Sequence, residues 1–169
     1  MDFPEKRMKN IPKSVFILLV ASFVIRFSIG ILTGAADDDA GDYVTYAIQT
    51  AHDNDIRNFL DFNLGRQVVQ VWLICLVCFM KLLGATNSVA ILLTSILGTI
   101  NILIFFKILR LFYSERDSLY ISIIYSIVPI IIYTGYNPCY ETIFIFLFLL
   151  SVYYLFIYFN SPENKYLIL

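Results

Sequence analysis

Four long apolar segments constrain the fold of this chain more than any other feature. They cover residues 14–32, 88–106, 118–134 and 142–159. Their lengths fall in the range of about 17–25 residues that a helix needs to cross the hydrocarbon core of a bilayer. Hydrophobic residues make up 59% of the chain, above the roughly 45–50% of an ordinary globular domain. The sequence therefore predicts an all-α integral membrane protein with about four transmembrane helices.

A fifth apolar segment, residues 68–83, is ambiguous because its continuous apolar part covers only residues 71–80. Apolar runs of about 10–14 residues are more often interfacial or buried helices than transmembrane ones. Lysine and arginine collect in cytoplasmic loops, so loop charge can decide between the two topologies. If this segment does not cross, eight basic residues lie inside (Lys6, Arg7, Lys9, Lys13, Lys107, Arg110, Arg116 and Lys165) and three outside (Arg57, Arg66 and Lys81).

If the segment does cross, five basic residues lie inside and six outside, which contradicts the rule. We therefore predict four crossings, a cytoplasmic N-terminus and a juxtamembrane helix over 68–83. Residues 33–87 then form the first extracytoplasmic loop of a single transmembrane domain, 1–169. The short loop 136–141 lies on the same side, so the two polar outer loops are expected to converge.

The first outer loop carries an unusual concentration of acid. Seven of the thirteen acidic residues are aspartates between Asp37 and Asp61. Asp37, Asp38, Asp39 and Asp42 precede a stretch with helical spacing, where aspartates stabilise the first turn. Capping requires one or two of them, so we interpret the rest as a site. Clustered carboxylates either hold a divalent cation such as Mg²⁺ or Mn²⁺, or raise the pKa of one member so that it becomes a general base.

Three further charged residues are candidates for binding. Arg26 lies inside the first span, about 9 Å below its outer end, and either snorkels to the interface or pairs with the aspartates above it or a lipid phosphate. Arg66 directly precedes the juxtamembrane helix, where it either anchors the interface or binds phosphate oxygens bidentately. Glu141 in the second outer loop either caps the next helix or belongs to the site.

Other functional classes find little support. Cys75 and Cys78 form a C-x-x-C within an apolar run, whereas a redox or metal site needs thiolates in polar surroundings. We therefore interpret both as packing residues. The net charge of −1 gives no argument for nucleic acid.

The order of these features resembles a known family. The features are Arg26 near the outer end of the first span, Asp38-Asp39-Ala40-x-x-Tyr43-x-x-x-Ala47, Gly65-Arg66 opening an amphipathic helix that ends in Lys81-Leu82-Leu83-Gly84, the basic patch Lys107-Ile108-Leu109-Arg110-Leu111-Phe112, and Pro129 before an acidic outer loop. This pattern is similar to the N-terminal part of the C-type membrane glycosyltransferases, the protein-mannosyltransferase and aminoarabinose-transferase-like group.

The resemblance implies transfer of a sugar from a polyprenyl-phosphate donor to a glycan, lipid or protein acceptor at the outer face. Asp38 or Asp39 would be the catalytic base or would orient the acceptor. Tyr43 would pack the helix that begins at these aspartates against the rest of the protein. Tyr43 and its neighbour Asp42 would both belong to the substrate-binding residues. Arg66 would lie near the lipid phosphate, and Glu141 would match the second-loop acid. The family often has a proline shortly after that arginine, and here the run is Arg66-Gln67-Val68-Val69.

Family enzymes usually have more spans, so we interpret the chain as the N-terminal portion of a longer enzyme that can be inactive alone. Its abundant Ile, Phe, Tyr and Asn suggest a bacterial protein of the cytoplasmic membrane. The alternative is a non-catalytic polytopic subunit, either a cation-binding transport component or an assembly partner. Transport residues usually lie at mid-membrane, whereas these acids lie outside the spans, which favours surface chemistry.

Overall fold

The computed structural model describes residues 11–34, 38–53 and 67–160, and this part of the chain is helical with no strand. The side chains of residues 38, 39, 53, 67–69 and 160 are not among those described. The described residues form seven helices, α1 Lys13–Thr33, α2 Asp38–Asp53, α3 Gln67–Leu83, α4 Asn87–Leu109, α5 Glu115–Ile127, α6 Pro129–Tyr136 and α7 Glu141–Asn160.

Three of these helices, α1, α4 and α7, are long and apolar enough to cross a membrane. Helices α5 and α6 pass the same test only together, as one span bent by 69°. Helix α3 is apolar but shorter. The chain is therefore an integral membrane protein, and the predicted all-α class is confirmed, with up to four spans at the expected positions.

The end of α1 and the start of α4 lie at the same face of the bundle. Helix α1 ends at Thr33, and Gly34 follows in the left-handed conformation with φ 74°, which ends a helix without steric strain. The carbonyl of Gly34 accepts a hydrogen bond of 2.8 Å from Asn87 Nδ2 at the start of α4. The intervening chain therefore leaves and returns at one face, as predicted for an α3 that does not cross.

The third span along the chain, formed by α5 and α6, is broken at Pro129. Val128, the residue before it, has φ −60° and ψ 127°, because the proline ring disfavours a helical conformation at the preceding residue. Pro129 itself opens α6, where its missing N–H is not needed. A proline inside an apolar run predicts a kink, and here the bend of 69° is large enough to divide the span into two helices.

Polar contacts join the spans within the bundle. Asn101 Nδ2 on α4 donates to the carbonyl of Thr142 on α7 at 3.2 Å, and the Thr142 hydroxyl donates to the carbonyl of Thr134 on α6. A buried asparagine within a span is expected to pair with another helix, and Asn101 does so. Such bonds replace the hydrophobic effect, which gives no drive between helices in lipid.

Candidate active site

Helix α2 buries one face, and that face carries the residues expected to pack. Its buried side chains are Ala40, Tyr43, Val44, Ala47 and Thr50, whereas Asp42 is exposed. Their spacing of three or four residues puts them in one stripe of the helix. Tyr43 and Ala47 therefore both lie on the packed face of α2, and Asp42 lies on its exposed side.

Helices α2 and α3 form one compact layer at the end of the bundle where α4 and α7 begin. The cluster comprises Tyr43, Val44 and Ala47 from α2, Trp72, Leu73, Leu76, Val77 and Met80 from α3, Ala90 from α4 and Ile143 from α7. Burying a large apolar side chain contributes about 1.5–3 kcal/mol, so this layer is held firmly. The helix that begins with Asp38 and Asp39 therefore rests on a fixed platform.

The two outer loops converge, as the sequence predicted. The rings of Tyr43 on α2 and Tyr140 in the second outer loop meet edge to face, with centroids 6.2 Å apart. The indole N–H of Trp72 on α3 donates to the carbonyl of Pro138 at 3.1 Å. Both contacts join the first outer segment to the segment that immediately precedes Glu141.

The second outer loop is held rigid from within. Asn137 is buried, with 1% of its surface exposed. Its Nδ2 donates to Tyr133 Oη at 2.8 Å and to Cys139 Sγ at 2.9 Å. The backbone N–H of Cys139 also donates to the Asn137 carbonyl at 2.7 Å. A loop anchored at so many points presents Glu141 at a defined position.

Glu141 is the first residue of α7, where the helix dipole favours a carboxylate. Its side chain is half-buried, and its Oε2 atom is buried with no hydrogen-bond partner in the described part of the chain. Asn137 Oδ1 is in the same condition. Buried acceptors without donors are unfavourable, so this loop offers two acceptors that a bound hydroxyl or amine would satisfy.

The other acidic candidates are only partly located. Asp38 and Asp39 open α2 as predicted, but their side chains are not among those described, and Asp37 and Arg66 also fall outside the described residues. Among the side chains that the structure describes, which exclude those of Asp38 and Asp39, no group of three or more His, Cys, Asp or Glu is placed to hold a metal ion. A divalent cation at the aspartates therefore stays a prediction.

Within the described residues, Arg26 neither reaches the membrane interface nor pairs with a carboxylate or phosphate, the two alternatives expected from the sequence. Only 1% of its surface is exposed, so the expectation that it snorkels to the interface is wrong. Its guanidinium donates to Ser22 Oγ at 2.8 Å and to the carbonyl of Ser126 at 3.3 Å. The partners found are a hydroxyl and backbone carbonyls, where we had expected carboxylates or a lipid phosphate. The expectation failed because it considered α1 alone and not the break in the third span.

The C-x-x-C pair has no feature of a redox or metal site. Cys75 packs against the α2–α3 cluster, and its burial, together with the neighbouring Cys78, raises the pKa of its thiol. A raised pKa disfavours the thiolate that metal binding requires. Cys78 is exposed, so only one of the two cysteines is a packing residue.

Sequence reasoning missed Trp72 and Asn137 as organising residues of this site. Trp72 is the chain's single tryptophan and has 0% of its surface exposed, in a helix that we expected to lie along the membrane surface. Asn137 stands in an Asn-Pro pair, a common loop signal. The single tryptophan and the Asn-Pro pair are both visible in the sequence, but neither indicates which residue Trp72 or Asn137 contacts.

The comparisons with known proteins gave one match. A family model described as dolichyl-phosphate-mannose-protein mannosyltransferase matches residues 68–169, well over half of the chain. The match includes α3, the broken span, the second outer loop and Glu141, and it begins after the aspartates. Searches of curated proteins and of solved structures found no match.

Proposed function

Since the chain belongs to the dolichyl-phosphate-mannose-protein mannosyltransferase family of membrane glycosyltransferases, we propose that it transfers a sugar from a polyprenyl-phosphate donor to an acceptor at the outer face. The acceptor is a hydroxyl or amine of a glycan, lipid or protein. The observation that supports this most is the convergence of the two outer segments through Tyr43 and Tyr140. It brings the acidic start of α2 towards the loop that ends in Glu141.

The proposed reaction is a single displacement at the anomeric carbon. The acceptor oxygen or nitrogen forms a bond to that carbon while the bond from the carbon to the phosphate oxygen breaks. Polyprenyl phosphate leaves with the bonding electron pair, and the acceptor's proton passes to a carboxylate of Asp38 or Asp39. One displacement inverts the anomeric configuration. Arg66 stabilises the leaving phosphate, and Glu141 accepts a hydrogen bond from a sugar or acceptor hydroxyl.

Helix α3 supports a membrane-bound donor because it is apolar on two sides. One side packs against α2 through Trp72 and Leu76, while Val71, Ile74 and Leu82 are exposed. An exposed apolar stripe on a short helix at the outer ends of the spans is suited to the acyl region of the outer leaflet. A lipid tail then has a route alongside α3, with its phosphate near the start of that helix.

Donor turnover tests this proposal directly. Membranes that contain the full chain, or the longer protein that carries it, are incubated with short-chain polyprenyl-phosphate mannose or a pentose-linked analogue, and released polyprenyl phosphate is measured. Asp38→Asn or Asp39→Asn should lower the rate of polyprenyl-phosphate release by about 10²–10⁴-fold, because one of them removes the general base. Glu141→Gln should lower turnover less, since a neutral acceptor remains.

Glu115→Gln is the matched control. Glu115 is an exposed acid at the opposite end of the bundle, 3.8 Å from Arg110, and its neutralisation should leave turnover unchanged. If Asp38→Asn and Asp39→Asn both turn over donor at the parent rate, the proposed catalytic role of these aspartates is wrong.

A further inference from the structure

The break between α5 and α6 leaves the backbone carbonyl of Ser126, within the third span, without a helical N–H partner. Where α5 ends, the N–H of Val128 donates to the Tyr125 carbonyl at 3.3 Å. In the described part of the chain, no backbone N–H from beyond the break donates a hydrogen bond to the Ser126 carbonyl. Hydrocarbon supplies no donors, so a carbonyl at this depth needs a partner from another helix.

Arg26 supplies that partner from α1. Its Nη2 donates to the carbonyl of Ser126 on α5 at 3.3 Å and to the carbonyl of Ile131 on α6 at 3.4 Å. Its Nη1 donates to the carbonyl and hydroxyl of Ser22, at 3.2 and 2.8 Å. One guanidinium therefore bridges α1 to both sides of the break. Its charge lies at the C-terminal end of α5, where the helix dipole favours a cation.

Two glycines make room for this side chain. A Cβ added to Gly135 on α6 would lie 2.6 Å from Arg26 Cδ and would overlap Nε. A Cβ added to Gly98 on α4 would lie 2.8 Å from Gly135 Cα and 3.4 Å from Arg26 Nε. The arginine thus passes between two backbones. This close packing leaves no space for a phosphate at Nε, the one guanidinium nitrogen without a hydrogen-bond partner in the described structure.

The bend sets the position of the second outer loop. Helix α6 has eight residues, about 12 Å in length, and the loop follows directly at Asn137. A change of about 10° at the break would therefore move Asn137 by about 2 Å. We propose that Arg26 is a positioning residue that holds the α5–α6 bend and thereby places the loop Asn137–Glu141. The link to catalysis rests on the proposed function, whereas the bend is tested without any sugar transfer.

The native cysteines report on this proposal. Cys139 lies in the loop and is buried, and Cys75 is half-buried in the α2–α3 cluster. One background retains only Cys139, with Cys75→Ala and Cys78→Ala, and a second retains only Cys75. Each is combined with Arg26→Met, Arg26→Lys or Lys107→Met. Purified protein is treated with a small charged methanethiosulfonate, and the modification rate is followed by intact mass.

Arg26→Met should raise the modification rate of Cys139 about tenfold, through local opening of the loop, and leave the rate of Cys75 unchanged. Arg26→Lys keeps the charge but offers a single nitrogen, which cannot bridge Ser22 and both sides of the break, so its effect on Cys139 should be intermediate. Lys107→Met removes a cation at the other end of α4 and should change neither rate.

The proposal is overturned if Cys139 stays protected in Arg26→Met, or if Cys75 becomes reactive to the same degree, which would indicate general loosening. If Arg26→Met is not recovered from membranes, Arg26→Lys decides by the same comparison of the two cysteines. Because no donor is added, failure here leaves the proposed transferase activity standing.

Discussion

Trp72 and Pro138 are joined by a hydrogen bond of 3.1 Å from the indole N–H to the backbone carbonyl. The bond connects residues that are far apart in sequence, and Trp72 is fully buried. It fixes the juxtamembrane helix α3 to the second outer loop. The orientation of the proposed donor-binding helix and the position of Glu141 are thus coupled through one side chain.

Replacing Trp72 with phenylalanine tests this coupling. Trp72→Phe keeps most of the apolar contact but removes the donor and leaves the Pro138 carbonyl unsatisfied, which costs about 1–3 kcal/mol. We expect a lower apparent melting temperature, measured by thermal unfolding in detergent, and slower donor turnover. Phe79→Leu, at a half-buried position on the same helix, is the control and should have the smaller effect on turnover.

The close contact between Gly98 and Gly135 predicts that alanine at position 98 destabilises the protein. Gly98→Ala places a Cβ 2.8 Å from the backbone of Gly135, so the two helices must separate and Arg26 must move. We expect a loss of about 1–3 kcal/mol, the typical range for overpacking. Thermal unfolding of the purified protein provides the measurement.

Gly41→Ala serves as the matched comparison for that substitution. Gly41 is inside α2, and a Cβ there meets nothing within 4 Å. Alanine lowers the entropy of the unfolded chain and favours the helix, so a gain of about 0.4–1 kcal/mol is expected. A Gly98→Ala protein as stable as Gly41→Ala would show that α4 and α6 do not approach each other as described.

The hydrogen bond from Asn101 to the Thr142 carbonyl, 3.2 Å long, predicts a modest effect on stability. Interhelical bonds of this kind in membranes contribute about 0.6 kcal/mol on average. Asn101→Leu should therefore lower stability only slightly and leave the outer face unchanged. Unaltered protection of Cys139 from thiol reagents would confirm that the change stays local, whereas strong exposure of Cys139 would argue against this assignment.

The four-crossing topology predicts which positions are reachable from outside the cell. In a cysteine-free background, Asp42→Cys and Lys81→Cys should react with a membrane-impermeant thiol reagent in intact cells. Arg110→Cys should react only after the membrane is opened, because Arg110 follows α4 at the opposite face. Labelling of Arg110→Cys in intact cells would show that the predicted orientation is inverted or that the four-crossing topology is wrong.

The sequence was sufficient for features that depend on composition and local stereochemistry. Apolar length predicted the spans, and Pro129 predicted the break, because both follow from short-range physics. Loop charge predicted that α3 does not cross, and this orientation stays a prediction. The partners of Arg26 were not predictable, because they depend on the Ser126 carbonyl at a helix break about a hundred residues away and on glycines in two other helices. The roles of Asp38, Asp39 and Arg66 stay predictions.

The break in the third span has a consequence for biogenesis. Because α1 precedes α5 and α6 in the chain, it enters the bilayer first during synthesis. The Arg26 guanidinium that donates to the interrupted backbone is therefore present before α5 and α6 are inserted. A chain synthesised in the reverse order would expose bare peptide carbonyls to lipid until its arginine arrived. The order of these segments along the polypeptide thus protects the least membrane-compatible part of the molecule while it is being made.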